Sequence, residues 1–254
     1  MEERKVCVVT GSSSGIGAAT ARLYARNGWN VVINFSREAA PAEAVAVACR
    51  ALGGEALVVQ ADVSSDADCR RLAAEVESRF GRADVLVNNA GTTKFVALKE
   101  LDGLDAEDFQ RIYAVNVVGA FQMTRALVPM LGRQRGAGIV NMSSIASLMG
   151  TGSSLAYMAS KGALNAMTVG LARALGPAIR VNAIAPGLVE TPWMEQGLGE
   201  RYTATVQGYR ARAALDAVIS AEDVAEAAWW LGACAAKTTG EVLLLDAGLR
   251  IGRG

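Results

Sequence analysis

Short apolar runs rich in valine and isoleucine alternate with longer helical stretches along the whole chain. Seven runs have the length and composition of buried strands: residues 6–10, 31–35, 57–61, 85–87, 138–142, 180–185 and 241–245. Strands that are apolar throughout are typical of a parallel sheet covered on both faces. Because parallel crossovers are right-handed, the pattern predicts an α/β fold, a doubly wound Rossmann-type parallel sheet of about seven strands with helices on both faces.

The segments between these strands have helical composition and recognisable helix ends. Predicted helices cover residues 15–27, 41–52, 66–80, 105–131, 155–175 and about 221–235. Ser220 and Asp223 resemble a capping box before the last of them. No repeat or linker divides the chain, so residues 1–254 are predicted to form one domain. The least regular stretch, residues 188–215, is predicted to be a lid or binding segment.

Composition argues against several classes of protein. The 254 residues carry 25 Lys and Arg against 25 Asp and Glu, whereas nucleic-acid binding normally needs a basic excess. The apolar runs are interrupted, which predicts no membrane span, and the N-terminus lacks the apolar stretch of a signal peptide. The four cysteines, Cys7, Cys49, Cys69 and Cys234, have no metal-ligand spacing and are expected to be small buried side chains. These features predict a cytoplasmic protein without a metal site.

A glycine-rich turn joins the first predicted strand to the first predicted helix. Residues 10–17 read TGSSSGIG, and the candidate ligand-binding positions are Gly11, Ser13, Ser14, Gly15, Ile16 and Gly17. Glycines let backbone amides approach a ligand closely, and the helix N-terminus adds a partial positive charge. The turn therefore suits a pyrophosphate, although a glycine-rich turn alone is weak evidence.

The same turn also fits the Gly-x-Ser-x-Gly pattern of a hydrolase, with Ser13 as nucleophile. A serine nucleophile needs a base, and the chain contains no histidine. The absence of histidine excludes both Ser-His-Asp and Cys-His catalysis, so any acid–base chemistry must use another side chain.

Tyr157 and Lys161 are four residues apart and so lie on one face of the predicted helix 155–175. A nearby ammonium favours the phenolate and would lower the tyrosine pKa toward the working range. Ser144 follows a predicted strand, as does the Asn-Asn-Ala-Gly sequence at 88–91, which by itself could be a simple turn. Since ligands bind at the carboxyl ends of parallel strands, the serine is expected beside the phenol.

In order and spacing these residues resemble the short-chain dehydrogenase/reductase family over nearly the whole chain. The matching positions are the turn 10–17, Asp62, residues 88–91, Asn116, Ser144, Tyr157, Lys161, Pro186, Gly187 and Thr191. Ser144 precedes Tyr157 by thirteen residues, the spacing usual in that family. Residues 240–248 match the family's closing strand, with Ala247 where glycine is common.

The resemblance implies roles for the matching residues. Tyr157 would donate the proton in reduction and accept it in oxidation, and Lys161 would lower its pKa and bind the nicotinamide ribose. Ser144 would orient the substrate oxygen, and Asn116 would support a water-mediated proton relay. The implied dinucleotide contacts are Asp62 and Val63 at the adenine, Asn89, Ala90 and Gly91 at the adenosine ribose, and Pro186, Gly187, Val189 and Thr191 at the nicotinamide carboxamide. A homotetramer is also implied, and the small residues of helix 155–175 would allow close packing with a partner helix.

The end of the second strand bears on the choice of dinucleotide. NAD-preferring proteins place an acidic side chain there, where it binds the ribose 2′-hydroxyl, but this chain has Phe35. Ser36 and Arg37 follow, and a guanidinium could hold a 2′-phosphate in a bidentate manner. We therefore expect NADP(H), with NAD(H) as the alternative if Arg37 is only a solvated loop charge.

The sequence thus predicts an oxidoreductase that transfers hydride between NADP(H) and a ketone or secondary alcohol. A 3-oxoacyl-acyl-carrier-protein reductase and an NAD-linked sugar or polyol dehydrogenase are alternatives within the class. An acyl carrier protein would need a basic patch, to which Arg125, Arg133 and Arg135 could contribute. A non-catalytic dinucleotide sensor is the alternative outside the class. Trp193, Met194, Tyr202 and Tyr209 could line an apolar substrate pocket or could equally be core or interface residues.

Overall fold

The computed structural model describes residues 4–253 and contains a seven-stranded parallel sheet. Its strands are β1 (Val6–Val9), β2 (Asn30–Phe35), β3 (Ala56–Gln60), β4 (Val85–Asn88), β5 (Ala137–Met142), β6 (Ile179–Pro186) and β7 (Val242–Leu245). Their order is β3-β2-β1-β4-β5-β6-β7, and each neighbouring pair is parallel. The predicted Rossmann-type fold is confirmed. Residues 1–3 and 254 belong to the predicted domain but lie outside the described residues. The prediction that the N-terminus lacks a signal peptide therefore falls partly on residues that the structure does not describe.

Ten α-helices occur in the described part of the chain. They are α1 (Gly15–Arg26), α2 (Ala39–Ala51), α3 (Asp66–Phe80), α4 (Ala106–Tyr113), α5 (Ala120–Leu131), α6 (Ala146–Met149), α7 (Leu155–Leu175), α8 (Pro192–Leu198), α9 (Tyr202–Arg212) and α10 (Ala221–Trp229). The capping box predicted at Ser220 is present, since the Ser220 hydroxyl accepts from the Asp223 amide and the Asp223 carboxylate accepts from the Ser220 amide.

The two faces of the sheet are covered by separate apolar clusters. On one face α1, α2 and α10 contribute buried residues such as Tyr24, Val45 and Val224. On the other, α3 and α5 contribute residues such as Leu72 and Leu127. Burial on both faces explains why the central strands read as continuous apolar runs rather than as alternating patterns.

Two stretches differ from the sequence prediction. The helix predicted over 105–131 is divided into α4 and α5 by a π-helical turn, Ala114–Gly119, that contains Asn116. The segment 188–215, predicted to be irregular, contains α8 and α9. Pro192 in the first turn and the Thr191 cap begin α8, and α9 is fixed by its buried residue Tyr209. Because α9 buries one residue and has no periodic apolar face, its sequence gives little helical signal.

One observation bears weakly on the predicted absence of a membrane span, and the prediction for one cysteine needs correction. The continuous helical stretch Ala106–Leu131 has the length and mean hydropathy of a membrane span, 1.2 over its most apolar window, although none was predicted. Half of that window is buried within the protein, as in a core helix, so the resemblance to a span is weak evidence. All four cysteines are free thiols, and Cys234 is exposed, whereas the other three are buried as predicted.

Candidate active site

The glycine turn after β1 has no room for side chains at two of its positions. A Cβ at Gly11 would lie 2.8 Å from the Cα of Ala90, and Gly11 has a positive φ of 59°. A Cβ at Gly17 would lie 2.6 Å from the Asn89 amide nitrogen. These glycines therefore let the turn pack directly against the segment that follows β4, which brings two strand ends together.

Polar side chains fasten the turn in this position. Asn89 Nδ2 donates to the carbonyl oxygens of Thr10 and Gly11, both at 2.9 Å, and Thr10 Oγ1 accepts from the Asn89 and Ala90 amides. From β2, Asn34 Oδ1 accepts from the Gly11 amide at 3.0 Å. Asn89 and Ala90 were predicted only as ribose contacts. The sequence did not reveal that Asn89 braces the turn or that Asn34 takes part.

The exposed end of the turn fits a pyrophosphate on structural grounds. Ser14 is the N-cap of α1, but its side chain makes no capping hydrogen bond, and the first turn of α1 has no acidic residue. Ser13, Gly15 and Ile16 are partly exposed. Across the cleft, Thr191 lies close to the turn, since a Cβ at Gly15 would be 3.4 Å from Thr191 Cγ2. Free helix N-terminal amides beside glycine backbone are the donors that a dinucleotide phosphate requires.

The predicted adenine and 2′-phosphate contacts lie just after the ends of β3 and β2. Asp62 is exposed and its Oδ1 accepts from the Ser64 amide and hydroxyl at 2.9 and 2.7 Å, while Val63 is buried. Ser36 and Arg37 are exposed immediately after β2, and the carbonyl of Ser36 accepts from Gln60 at 3.2 Å. Each of these residues is therefore placed at the carboxyl edge of the sheet, where the prediction requires them.

The loop after β6 is held by a buried tyrosine. Pro186 ends β6, and the Gly187 amide donates to the carbonyl of Leu245 at 2.8 Å. Tyr209 Oη, from α9, donates to the carbonyl of Asp246 at 2.7 Å and lies where a Cβ of Gly187 would be. Burial raises the pKa of Tyr209 to about 12, so it stays a neutral donor. Of the two roles left open for Tyr209, the structure selects the core.

The remaining carboxamide-contact candidates continue this loop. Val189 is buried and forms a parallel bridge with Ile219, and Thr191 Oγ1 accepts from the Met194 amide at the start of α8. Pro186, Gly187, Val189 and Thr191 thus lie along the end of β6 and the loop that follows it, and Thr191 is the member that lies next to the glycine turn, at Gly15.

Tyr157, Ser144 and Lys161 meet at the carboxyl end of β5. Ser144 lies close enough to the Tyr157 phenol to lower its pKa, and Ser144 Oγ accepts from the Ala146 amide at 3.1 Å. Lys161, one turn along α7, is 4% exposed and donates from Nζ to the carbonyl of Met142 at 2.6 Å. Its Nζ lies 5.6 Å from the centre of the Tyr157 ring. The three side chains predicted to act together are therefore adjacent.

Burial controls the ionisation of this cluster. It raises the pKa of Tyr157 to about 12, against the opposing effect of the Ser144 hydrogen bond, and lowers the pKa of Lys161 to about 8. The expected lowering of the tyrosine pKa by Lys161 is thus wrong for the protein chain alone. The physical reason is that desolvation of the phenolate outweighs every favourable interaction that the protein provides.

Asn116 lies in the π-helical turn and organises the neighbouring loop. Its Oδ1 accepts from the Thr92 amide at 2.8 Å, and its Nδ2 donates to the Thr92 carbonyl and to Ser160 Oγ, both at 3.0 Å. A Cβ at Gly91 would be 3.5 Å from Asn116 Oδ1 and 3.7 Å from Lys161 Nζ. The structure thus brings Asn116 to the lysine, while its role in a proton relay stays a prediction.

Asn165 was not predicted, yet it connects the catalytic helix to the Ser144 loop. Its Oδ1 accepts from Ser143 Oγ at 2.5 Å, and its Nδ2 donates to Ser147 Oγ at 2.9 Å. Ser147 Oγ in turn donates to the Ser144 carbonyl at 2.6 Å. The available signal was spacing, because Asn165 follows Lys161 by one helical turn on the same face of α7.

Comparison with known proteins gives a consistent result. Residues 5–203 match the family described as short chain dehydrogenase. Ketoacyl reductase 2 of the granaticin polyketide synthase from Streptomyces violaceoruber is 42% identical over 249 residues, which are 98% of this chain and 97% of that protein. The 3-oxoacyl-(acyl-carrier-protein) reductase of Thermotoga maritima is 35% identical over 255 residues, 98% and 99% of the two chains.

A solved structure agrees with these relatives. A short-chain dehydrogenase/reductase from Burkholderia xenovorans has a TM-score of 0.91 at 43% identity, covering 99% of this chain and 100% of that one. The fold, the strand-end site and the extent of these matches lead to one assignment. The chain belongs to the short-chain dehydrogenase/reductase family, whose members are oxidoreductases that use NAD(P).

Proposed function

We propose that this protein, as one catalytic domain, interconverts a ketone and a secondary alcohol with NADP(H), and that Tyr157 is the general acid and base. The observation that carries the proposal is the half-buried Tyr157, whose phenol lies beside Ser144 and next to the buried ammonium of Lys161. When bound, the nicotinamide supplies the hydride in reduction or accepts it in oxidation.

The protein's own residues manage the oxygen and its proton. Tyr157 is protonated at neutral pH, since its pKa is raised to about 12, and so it is ready to donate to a carbonyl oxygen. Ser144, which lies beside the phenol, orients that oxygen. Lys161 places a positive charge beside the ring and stabilises negative charge that develops on the tyrosine oxygen. Asn116 holds Thr92 and Ser160 around this group.

The proposed preference for NADP(H) depends on Ser36 and Arg37. Phe35 is buried at the end of β2, and Arg37 is exposed beside it. A 2′-phosphate would meet a guanidinium there, whereas a 2′-hydroxyl would find no carboxylate at the Phe35 position. Gly11, Gly15 and Gly17 with Ser13, Ser14 and Ile16 would hold the pyrophosphate, and Asp62, Val63, Asn89, Ala90 and Gly91 would hold the adenosine.

The surface supports a small free substrate over one carried by an acyl carrier protein. Of the three arginines considered for a basic patch, Arg125 pairs with Asp66 and Arg133 pairs with Glu77 at 2.8 Å. Charges neutralised in this way contribute little to an acidic partner's binding. The relatives named as ketoacyl reductases support a ketone as the reacting group, and we propose a free ketone for this chain.

We further propose a cytoplasmic homo-oligomer, with a tetramer as the expected state. Ala159, Ala166 and Gly170 form an exposed stripe of small residues on α7, with Val169 exposed beside them. Small residues allow the close approach of a second helix. Sedimentation of the protein as a monomer at micromolar concentration would contradict this proposal.

Titration with reduced nicotinamides, followed by their fluorescence, tests the cofactor assignment. NADPH should bind at least about tenfold more tightly than NADH, and Arg37→Ala should abolish most of that difference. Arg173→Ala, an exposed arginine on α7, is the matched control. Equal effects of Arg37→Ala on both nucleotides would refute the preference. Tight NADPH binding without turnover of any carbonyl or alcohol would instead favour a non-catalytic sensor.

A further inference from the structure

The catalytic phenol of Tyr157 and two further aromatic rings form a continuous surface. The ring of Trp193 lies 6.3 Å from that of Tyr157, tilted by 48°, and 5.9 Å from that of Phe95, tilted by 58°. We refer to Phe95, Tyr157 and Trp193 as the aromatic surface. Trp193 and Phe95 come from different segments, so their meeting at Tyr157 is a product of the tertiary fold.

Phe95 is held at this position by contacts on both sides. Thr93 Oγ1 and Ser153 Oγ are 2.6 Å apart, and the Val96 amide donates to the Ser153 carbonyl at 2.8 Å. These bonds attach the loop that carries Phe95 to the segment immediately before α7. Against α8, a Cβ at Gly197 would overlap the Phe95 ring, so this glycine lets the ring lie directly on the helix backbone.

Trp193 is the exposed member of the group. It is the second residue of α8 and its side chain is 43% exposed, although it is large, apolar and beside the reacting group. An indole in this position gains free energy when a planar apolar group covers it. Rings that are already tilted against one another favour offset or edge contacts with a further ring.

Charged residues flank Phe95 and Trp193 along the chain. Lys94, next to Phe95, is bound by the Asp108 carboxylate at 2.6 Å. Glu190 and Glu195, three residues before and two residues after Trp193, are exposed, and after desolvation they raise the pKa of Tyr202 on α9. Exposed carboxylates do not attract a carboxylate or phosphate, so the neighbours of Trp193 favour a neutral ring on this surface.

We infer that the substrate is a neutral ketone with an aryl or other conjugated ring close to the carbonyl, and that Trp193 and Phe95 determine this specificity. The inference rests on the proposed function, since it assigns the substrate class of the same site. The ring would lie against Trp193 and Phe95 while the carbonyl oxygen meets Tyr157 and Ser144.

The kinetic test compares ethyl benzoylacetate with ethyl acetoacetate, which differ by phenyl in place of methyl. With NADPH, the wild-type kcat/KM should be at least about tenfold higher for the aryl ester, in line with burial of a ring on an aromatic wall. Trp193→Ala and Phe95→Ala should each lower that ratio by at least about fivefold, and Trp193→Phe should preserve most of it. Trp230→Ala is the matched control, because Trp230 is 47% exposed and lies outside the site. A wild-type ratio near one, or a ratio unchanged by Trp193→Ala, would overturn the inference.

A binding measurement separates this inference from the proposed function. Acetophenone should quench tryptophan fluorescence in the wild type and in Trp230→Phe, and the quenching should be largely lost in Trp193→Phe. Quenching that depends on Trp193, in the absence of turnover of either ester, would refute the reductase and leave the aromatic binding surface supported. Turnover of both esters without such quenching would support the reductase and refute the aromatic surface.

Discussion

Lys161 Nζ donates a hydrogen bond of 2.6 Å to the carbonyl oxygen of Met142, while it lies 5.6 Å from the centre of the Tyr157 ring. The last residue of β5 thus fixes the ammonium at a set distance from the phenol. Lys161 is buried and Tyr157 is half-buried, and desolvation shifts their pKa values toward the neutral forms, to about 8 for Lys161 and about 12 for Tyr157. Two pH-dependent properties follow from this pair.

The first is the pH dependence of catalysis. Ketone reduction should be constant below about pH 8 and fall above it as Lys161 loses its charge, because the ammonium stabilises the developing phenolate. Alcohol oxidation should instead increase with pH as the phenol ionises. Tyr157→Phe should lower reduction by about 10²–10⁴-fold without loss of NADPH binding.

Steady-state kinetics from pH 6 to pH 10 measure both directions. Tyr24→Phe is the matched control, since Tyr24 is a buried tyrosine that donates to the Ala228 carbonyl far from the site. It should change stability but not the shape of the pH profile. Retention of more than about a tenth of the activity in Tyr157→Phe would show that another group supplies the proton.

The second property is stability at alkaline pH. The pKa of Lys161 is about 8 in the folded protein and about 10.4 in an unfolded chain. Between these values the unfolded state binds more protons at this site, so the free energy of unfolding rises with pH and the stabilisation is lost as pH falls through 8. Relative to Lys161→Met, the wild type should gain about 2 kcal/mol between pH 8 and pH 10.

Urea unfolding of both proteins at several pH values tests this, because pH effects common to the two proteins cancel in the difference. A difference that stays constant with pH would mean that the Lys161 ammonium is solvated in the folded protein. Above about pH 10 the raised pKa of Tyr157 acts in the opposite sense and should reduce stability.

The sequence predicted the sheet well because burial on both faces leaves a strong local signal. The seven predicted strands lie within two residues of β1 to β7 at either end. Tyr157, Ser144 and Lys161 were predictable because helical spacing and strand ends place them at one edge of the sheet and their order and spacing resemble those of the family. What the sequence did not reveal depends on distant contacts, such as Tyr209 with Asp246 or the π-helical turn at Asn116. The pKa of Tyr157 was misjudged because the degree of burial is a property of the folded protein.

Asn165 should control catalysis through the position of Ser144. Asn165→Leu removes the hydrogen bonds to Ser143 and Ser147 while approximately preserving volume. We expect kcat to fall at least about tenfold, with little change in the KM for NADPH, because a small displacement of an orienting group is costly. Asn165→Asp keeps the acceptor for Ser143 and should retain intermediate activity.

Thr168→Val is the control for loss of a buried polar contact on the same helix. Thr168 Oγ1 accepts from Asn141 at 2.9 Å and donates to the Leu164 carbonyl. Its replacement should destabilise the protein by about 1–3 kcal/mol with little effect on kcat. If the two variants lowered kcat equally, Asn165 would have only a structural role.

Ala247 should be a site of strain that glycine relieves. It follows β7 with a positive φ of 52°, and its carbonyl accepts from the Leu215 amide at 3.0 Å, which holds the backbone in that conformation. A left-handed conformation costs a non-glycine residue about 1–2 kcal/mol, whereas Ala→Gly costs about 0.4–1 kcal/mol through the unfolded chain. The first effect is the larger, so Ala247→Gly should stabilise the protein by up to about 1 kcal/mol.

Ala174→Gly is the control, because it lies at an exposed position in α7 and should destabilise the protein by about 1 kcal/mol. Thermal or urea unfolding of both variants measures the two signs, and destabilisation by Ala247→Gly would show that the turn after β7 carries no such strain.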